Sequence, residues 1–148
     1  MVAAALASAV LVGCGANASD DGPPAACLNP TAQYLKALSA APDAVRLGGE
    51  TPISECFTGD ESPDIGQSVI KAATVLNADA RRDPGGAATV RLGYLAGAVH
   101  AGTSHVPSEA DLVRRVDTAA RYNPRAGSLG AAFEHAFGKG YAAGEATG

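Results

Sequence analysis

Three cysteines and three histidines are the residues of this chain best equipped for covalent or metal chemistry, and their spacing limits how they can use it. Neither Cys27 nor Cys56 stands in a Cys-x-x-Cys or Cys-x-x-Cys-His context, so redox catalysis and haem attachment have no support. His100 and His105 flank Ala101-Gly102-Thr103-Ser104, and His135 follows later. Brought together by a fold, the three imidazoles could ligate a transition metal or serve a hydrolase as acid–base groups. Their spacing matches no established zinc pattern. The plainer reading of His100 and His105 is two polar residues near a helix C-terminus, where positive charge is favourable.

Other near-motifs fail on context. Ala126-Gly127-Ser128-Leu129-Gly130 misses the Gly-x-Ser-x-Gly elbow of serine hydrolases by one residue. That elbow needs a preceding strand, and here the serine is better used as a helix cap. Gly138-Lys139-Gly140 lacks the glycine spacing and the Ser or Thr of a phosphate-binding loop. Asp60, Glu61 and Asp64 cluster before a helix start, where negative charge is favourable without catalysis, and their spacing does not suit calcium. Arg81-Arg82 and Arg114-Arg115 read as solvated helix faces that at most touch anionic headgroups. No catalytic residue, metal ligand or cofactor is implied.

The elements that would position these residues are helical. Thr31 can cap a helix over 31–41, with Tyr34, Leu35 and Leu38 on its apolar side and Pro42 stopping it. Residues 44–64 are rich in Pro, Gly and Ser, with an extended candidate at 53–57, and read as an ordered loop. Ser62-Pro63 is an N-cap followed by a first helical residue, and Ile65, Val69, Ala72, Ala73 and Leu76 recur at helical spacing up to about Arg82. Residues 87–103 form the most apolar helix. Ser108 with Asp111 resembles a capping box, opening a fourth helix that carries Leu112, Val113 and Val116 and stops before Pro124. Ser128 can cap a fifth, on which Leu129, Phe133, Phe137 and Tyr141 repeat every four residues. Gly138, Gly140 and Gly144 should fray its end. The sum is an all-α fold, a single small bundle of four to five helices.

Glycines mark one contact in that bundle. Gly93 and Gly97 lie one turn apart, with Ala101 continuing the row. Gly inside a helix costs up to ~1 kcal/mol against Ala, so the pair implies close approach by a neighbour. The fifth helix, with Ala132, Ala136 and Gly140 similarly spaced, is the natural partner.

Composition narrows the function classes. A net charge of −4 with no basic stripe along any helix disfavours nucleic acid. With no Trp and only 3 Phe, the core must be built from Ala, Val and Leu, which buries little area per residue. Any covalent staple therefore matters more.

The amino-terminal stretch gives an address. An apolar run over 3–12 ends in Leu11-Val12-Gly13-Cys14, with a small residue directly before a cysteine, and it is too short to span a membrane. It resembles the lipobox of bacterial lipoproteins, although no Lys or Arg precedes the run. The resemblance implies a signal peptide over 1–13, cleavage before Cys14, lipidation of that thiol, and a mature protein held at the extracytoplasmic face of the cell membrane. Residues 14–26 have linker composition and would be the tether, leaving 27–148 as the helical domain. With Cys14 lipidated, Cys27 and Cys56 remain as an even pair. In an oxidising compartment they are most simply a disulfide that pins the loop, the alternative being two free buried thiols.

Cys27 with Tyr34-Leu35, Ser54-Glu55-Cys56 and Leu92-Gly93-Tyr94-Leu95-Ala96-Gly97-Ala98 extend the resemblance to small uncharacterised lipoproteins of high-GC Gram-positive bacteria. They carry no assigned activity across. The Gly-Tyr-x-x-Gly element beside a disulfide is also similar to small periplasmic immunity proteins. The expectation is a non-enzymatic binding or scaffolding domain with an envelope protein as partner. The rivals are a hydrolase or metal-dependent enzyme using His100, His105 or His135, and an immunity or inhibitor protein.

Overall fold

A computed structural model describes residues 22–57, 59, 63–125 and 127–148. The expected signal segment, Cys14, most of the tether and the Ser62 cap lie outside the described residues. Among the described residues five α-helices run in the order α1 (Thr31–Ala37), α2 (Pro63–Ala80), α3 (Ala87–Thr103), α4 (Ala110–Ala120) and α5 (Ala131–Thr147). Among the described residues there is no strand, only an isolated bridge between Leu47 and Thr51. The all-α expectation holds.

α3 is the centre. Every residue from Leu92 to Val99 is buried, as expected of a helix apolar around its whole circumference. α2 and α4 cover one side of it, and α5 covers another. Helix directions follow from the contacts. Gly66 meets Leu112 and Asn77 bonds Ala120, so α2 and α4 run parallel. His100 meets Asp117 while Thr103 lies by Ala110, so α4 runs antiparallel to α3. Gly93 abuts Phe137 and Gly97 abuts Tyr141, so α3 and α5 are parallel.

That last contact is the glycine seam expected from sequence. A Cβ on Gly93 or Gly97 would collide with the α5 backbone, and one on Gly140 or Gly144 with the α3 backbone at Val90 and Tyr94. The register differs from expectation. Ala136 is buried, but Ala132 is exposed and Gly144 takes its place in the seam. α5 accordingly does not fray at its glycines; it continues to Thr147 because two of them lie against a neighbour.

The connector between α1 and α2 clamps the far end of this seam. Cys27 and Cys56 are bridged, with Cα atoms 5.4 Å apart, which pins the N-terminal region as expected. The buried Tyr34 hydroxyl donates to the Cys27 carbonyl at 2.7 Å. The Val45 amide donates to the Tyr94 hydroxyl at 3.0 Å, and that hydroxyl pairs with Thr147 Oγ1 at 2.9 Å. Arg46 donates to the Thr147 carbonyl at 2.8 Å, and Ser54 to the Gly148 carbonyl. Carbonyls that a helix end leaves without intrahelical partners are satisfied here from outside.

Several boundaries differ from the sequence reading, each for a local reason. Thr31 is the first residue of α1 behind Pro30, and its hydroxyl reaches the Ser68 carbonyl of α2 instead of capping. The α-helical part of α1 stops at Ala37, and a 3₁₀ turn over Leu38–Ala40 completes it before the cis Ala41–Pro42 bond. The extended candidate at 53–57 is a 3₁₀ turn, Ile53–Cys56, whose three-residue repeat buries both Ile53 and Cys56. α2 ends at Ala80, short of Arg82. Pro107 opens a 3₁₀ turn that absorbs Ser108, so α4 begins at Ala110. Ser128 caps nothing: Gly130 has φ 86°, which no helix can include, and Ser128 Oγ accepts the Gly130 amide at 3.1 Å instead.

Candidate functional site

Several concave surfaces carry chemically capable side chains, and two of them gather the histidine and arginine candidates read from the sequence. The first is a cleft of about 400 Å³ where α3, α4 and α5 meet. Antiparallel packing of α4 on α3 places Asp117 beside His100, with Nε2 3.2 Å from both carboxylate oxygens. An ionised carboxylate only accepts, so Nε2 carries the hydrogen. The Tyr141 and His100 rings meet edge to face, with centroids 5.4 Å apart. Burial, then the charge and hydrogen bond of Glu145, then the charge of Asp117 hold the Tyr141 hydroxyl above its ordinary pKa. Arg121 closes the cleft, lying over the Phe137 ring at 4.8 Å and pairing with Glu134 at 3.2 Å.

His105 and His135 do not join this group. Both are exposed, and neither lines the cleft. Among the described residues no set of three His, Cys, Asp or Glu side chains is placed to hold a metal ion. Around His100 the charged groups already engage one another, Nε2 with Asp117 and Arg121 with Glu134. Sequence reasoning found His100 but not Asp117, Tyr141 or Glu145, because their meeting depends on how three helices are stacked.

The second surface is a groove of about 540 Å³ between the parallel helices α2 and α4. Half-buried Ile70, Ala78 and Ala119 form its floor. Exposed Arg81, Arg114 and Arg115 stand at its edges, and Tyr122 closes one end with 57 % of its surface open to solvent. Arg81 lies over the Tyr122 ring, 5.8 Å from its centroid. Two arginine pairs that read as separate solvated faces thus contribute to one feature, except that Arg82 turns away to Asp79 at 2.5 Å.

The chain matches no known protein-family model, no curated protein and no solved structure. No described helix is long and apolar enough to cross a membrane.

Proposed function

We propose that this chain is a lipoprotein, anchored through Cys14 at the extracytoplasmic face of the cell membrane, whose helical domain binds a ligand or partner in the envelope without catalysing a reaction. The observation that carries the proposal is the fate of the cysteines. Cys27 and Cys56 are joined, which leaves Cys14, in its Leu-Val-Gly-Cys context, as the one uncommitted thiol. A disulfide is also the expected state of a cysteine pair in an oxidising compartment.

The binding half of the proposal is supported by the open groove between α2 and α4. The enzymatic alternative gains no geometric support, since it required at least two of His100, His105 and His135 to converge in one pocket, and His105 and His135 stand outside the two clefts that His100 lines. Lipidation is tested by expressing the full chain and its Cys14→Ser variant with a fatty-acid analogue as metabolic label. The wild-type chain should label and sediment with membranes, and the variant should do neither. A labelled variant, or one retained as fully as wild type, would overturn the anchor.

A further inference from the structure

The α2–α4 groove combines an apolar floor with an uneven charge. Three guanidinium groups line it and no carboxylate does, in a chain whose net charge is −4. Asp111 is the one carboxylate that Arg114 and Arg115 both reach, the second at 3.9 Å, so a single negative charge serves two arginines. Arg81 faces an aromatic ring. The groove is electropositive against the trend of the molecule.

Its dimensions limit the occupant. The volume falls within the ~300–1,000 Å³ typical of small-ligand sites. From Ile70 to Ala78 the floor follows α2 for about 12 Å at its rise per residue. A free phosphate would leave the apolar floor wet, and a purely apolar ligand would leave the arginines unused. One extended acyl chain ending in an anionic head engages both.

We infer that the α2–α4 groove binds an anionic lipid, its acyl chain along Ile70, Ala78 and Ala119 and its anionic head drawn to the groove's edges by the positive charge of Arg81 at one end and Arg114 and Arg115 at the other. Guanidinium forks match phosphate oxygens bidentately, and their aliphatic stems cover apolar surface beside the chain. Tyr122, apolar in its ring and polar at its tip, suits the boundary between the two. The lipid anchor proposed above supplies proximity only; the inference stands on the groove.

The test uses the full chain carrying Cys14→Ser, so that its result is independent of lipidation. Lauroyl lysophosphatidylglycerol, kept below its micelle concentration, is titrated calorimetrically against lauroyl lysophosphatidylcholine and inorganic phosphate. Saturable binding of the glycerol lipid is expected, with the choline lipid and phosphate at least about tenfold weaker. Arg81→Gln and Arg114→Gln should each weaken binding about fivefold, the scale of one basic residue at an anionic lipid surface. Ala119→Leu, which fills the floor, should abolish binding with an unchanged melt; Ala78→Leu from the facing helix replaces it if that melt falls. No binding, equal binding of both lipids, phosphate matching the lipid, or binding that survives the filled floor would each overturn the inference. Labelling of Cys14 would stand in all of those cases.

Discussion

The molecule contains two parallel helix pairs, and they are finished in opposite ways. α3 and α5 meet backbone to backbone along Gly93, Gly97, Gly140 and Gly144, leaving no room for a single Cβ. α2 and α4 touch along one edge, where Gly66 lies 3.4 Å from Leu112 by the measure of an added Cβ and Asn77 donates to the Ala120 carbonyl at 2.6 Å. Elsewhere along their length they leave a groove lined by Ile70, Thr74, Arg115 and Thr118. The same parallel geometry therefore yields a closed seam or an open groove, according to side-chain bulk at positions one turn apart. A domain with little aromatic mass can be stable in one half and receptive in the other.

The disulfide should matter most to the closed half. It fixes the connector whose Arg46 and Ser54 hold the end of α5. Replacing both Cys27 and Cys56 by Ser should cost roughly 3–4 kcal/mol on the chain-entropy scale, measured by urea denaturation. An unchanged midpoint would mean the glycine seam holds α5 without the clamp.

Next in size is the seam itself. Gly97→Leu should cost ~1–3 kcal/mol through overpacking, whereas Ala119→Leu in the groove should leave thermal stability nearly unchanged. Equal losses at the two sites would erase the contrast between the pairs.

Alkaline pH offers a smaller and reversible probe. Burial raises the pKa of Tyr34, and burial with nearby carboxylates raises that of Tyr141. For both, the folded state favours the neutral form, so the linked stability is complete below the ordinary tyrosine value of about 10 and is lost as pH rises through the folded values. Denaturation midpoints should be flat up to about pH 9 and fall above about pH 10. Tyr34→Phe should reduce that fall, and at neutral pH cost about 1 kcal/mol for the bond to Cys27. A midpoint insensitive to alkaline pH would contradict the burial of these hydroxyls.

Gly138→Ala gives the smallest effect and the opposite sign. An added Cβ there meets nothing within 4 Å, so the variant should gain up to ~1 kcal/mol of helix propensity. A loss in melting temperature would place Gly138 in a contact the structure does not show.

Much of the fold was legible because it is written locally. The limits of α3 are those read from Asp83-Pro84-Gly85-Gly86 and the apolar run behind it. The seam and its partner helix were legible as small residues one turn apart. Its register was not, since Gly140 and Gly144 look like weak points until a neighbour is in place. Caps were misread at Thr31, Ser108 and Ser128 because Pro30, Pro107 and Gly130 decide where those helices begin. The groove was illegible for a deeper reason. Arg81 and Arg114 lie 33 positions apart, and only the parallel pairing of α2 with α4 places them on one surface.

The tethered-domain proposal is tested most directly by the intact mass of the chain extracted from membranes without reduction. The expected species begins at Cys14, carries the added mass of its acyl groups, and has two hydrogens fewer than the dithiol form because Cys27 and Cys56 are linked. An unmodified Cys14 with residues 1–13 still attached, or two thiols in the native protein open to alkylation, would contradict it.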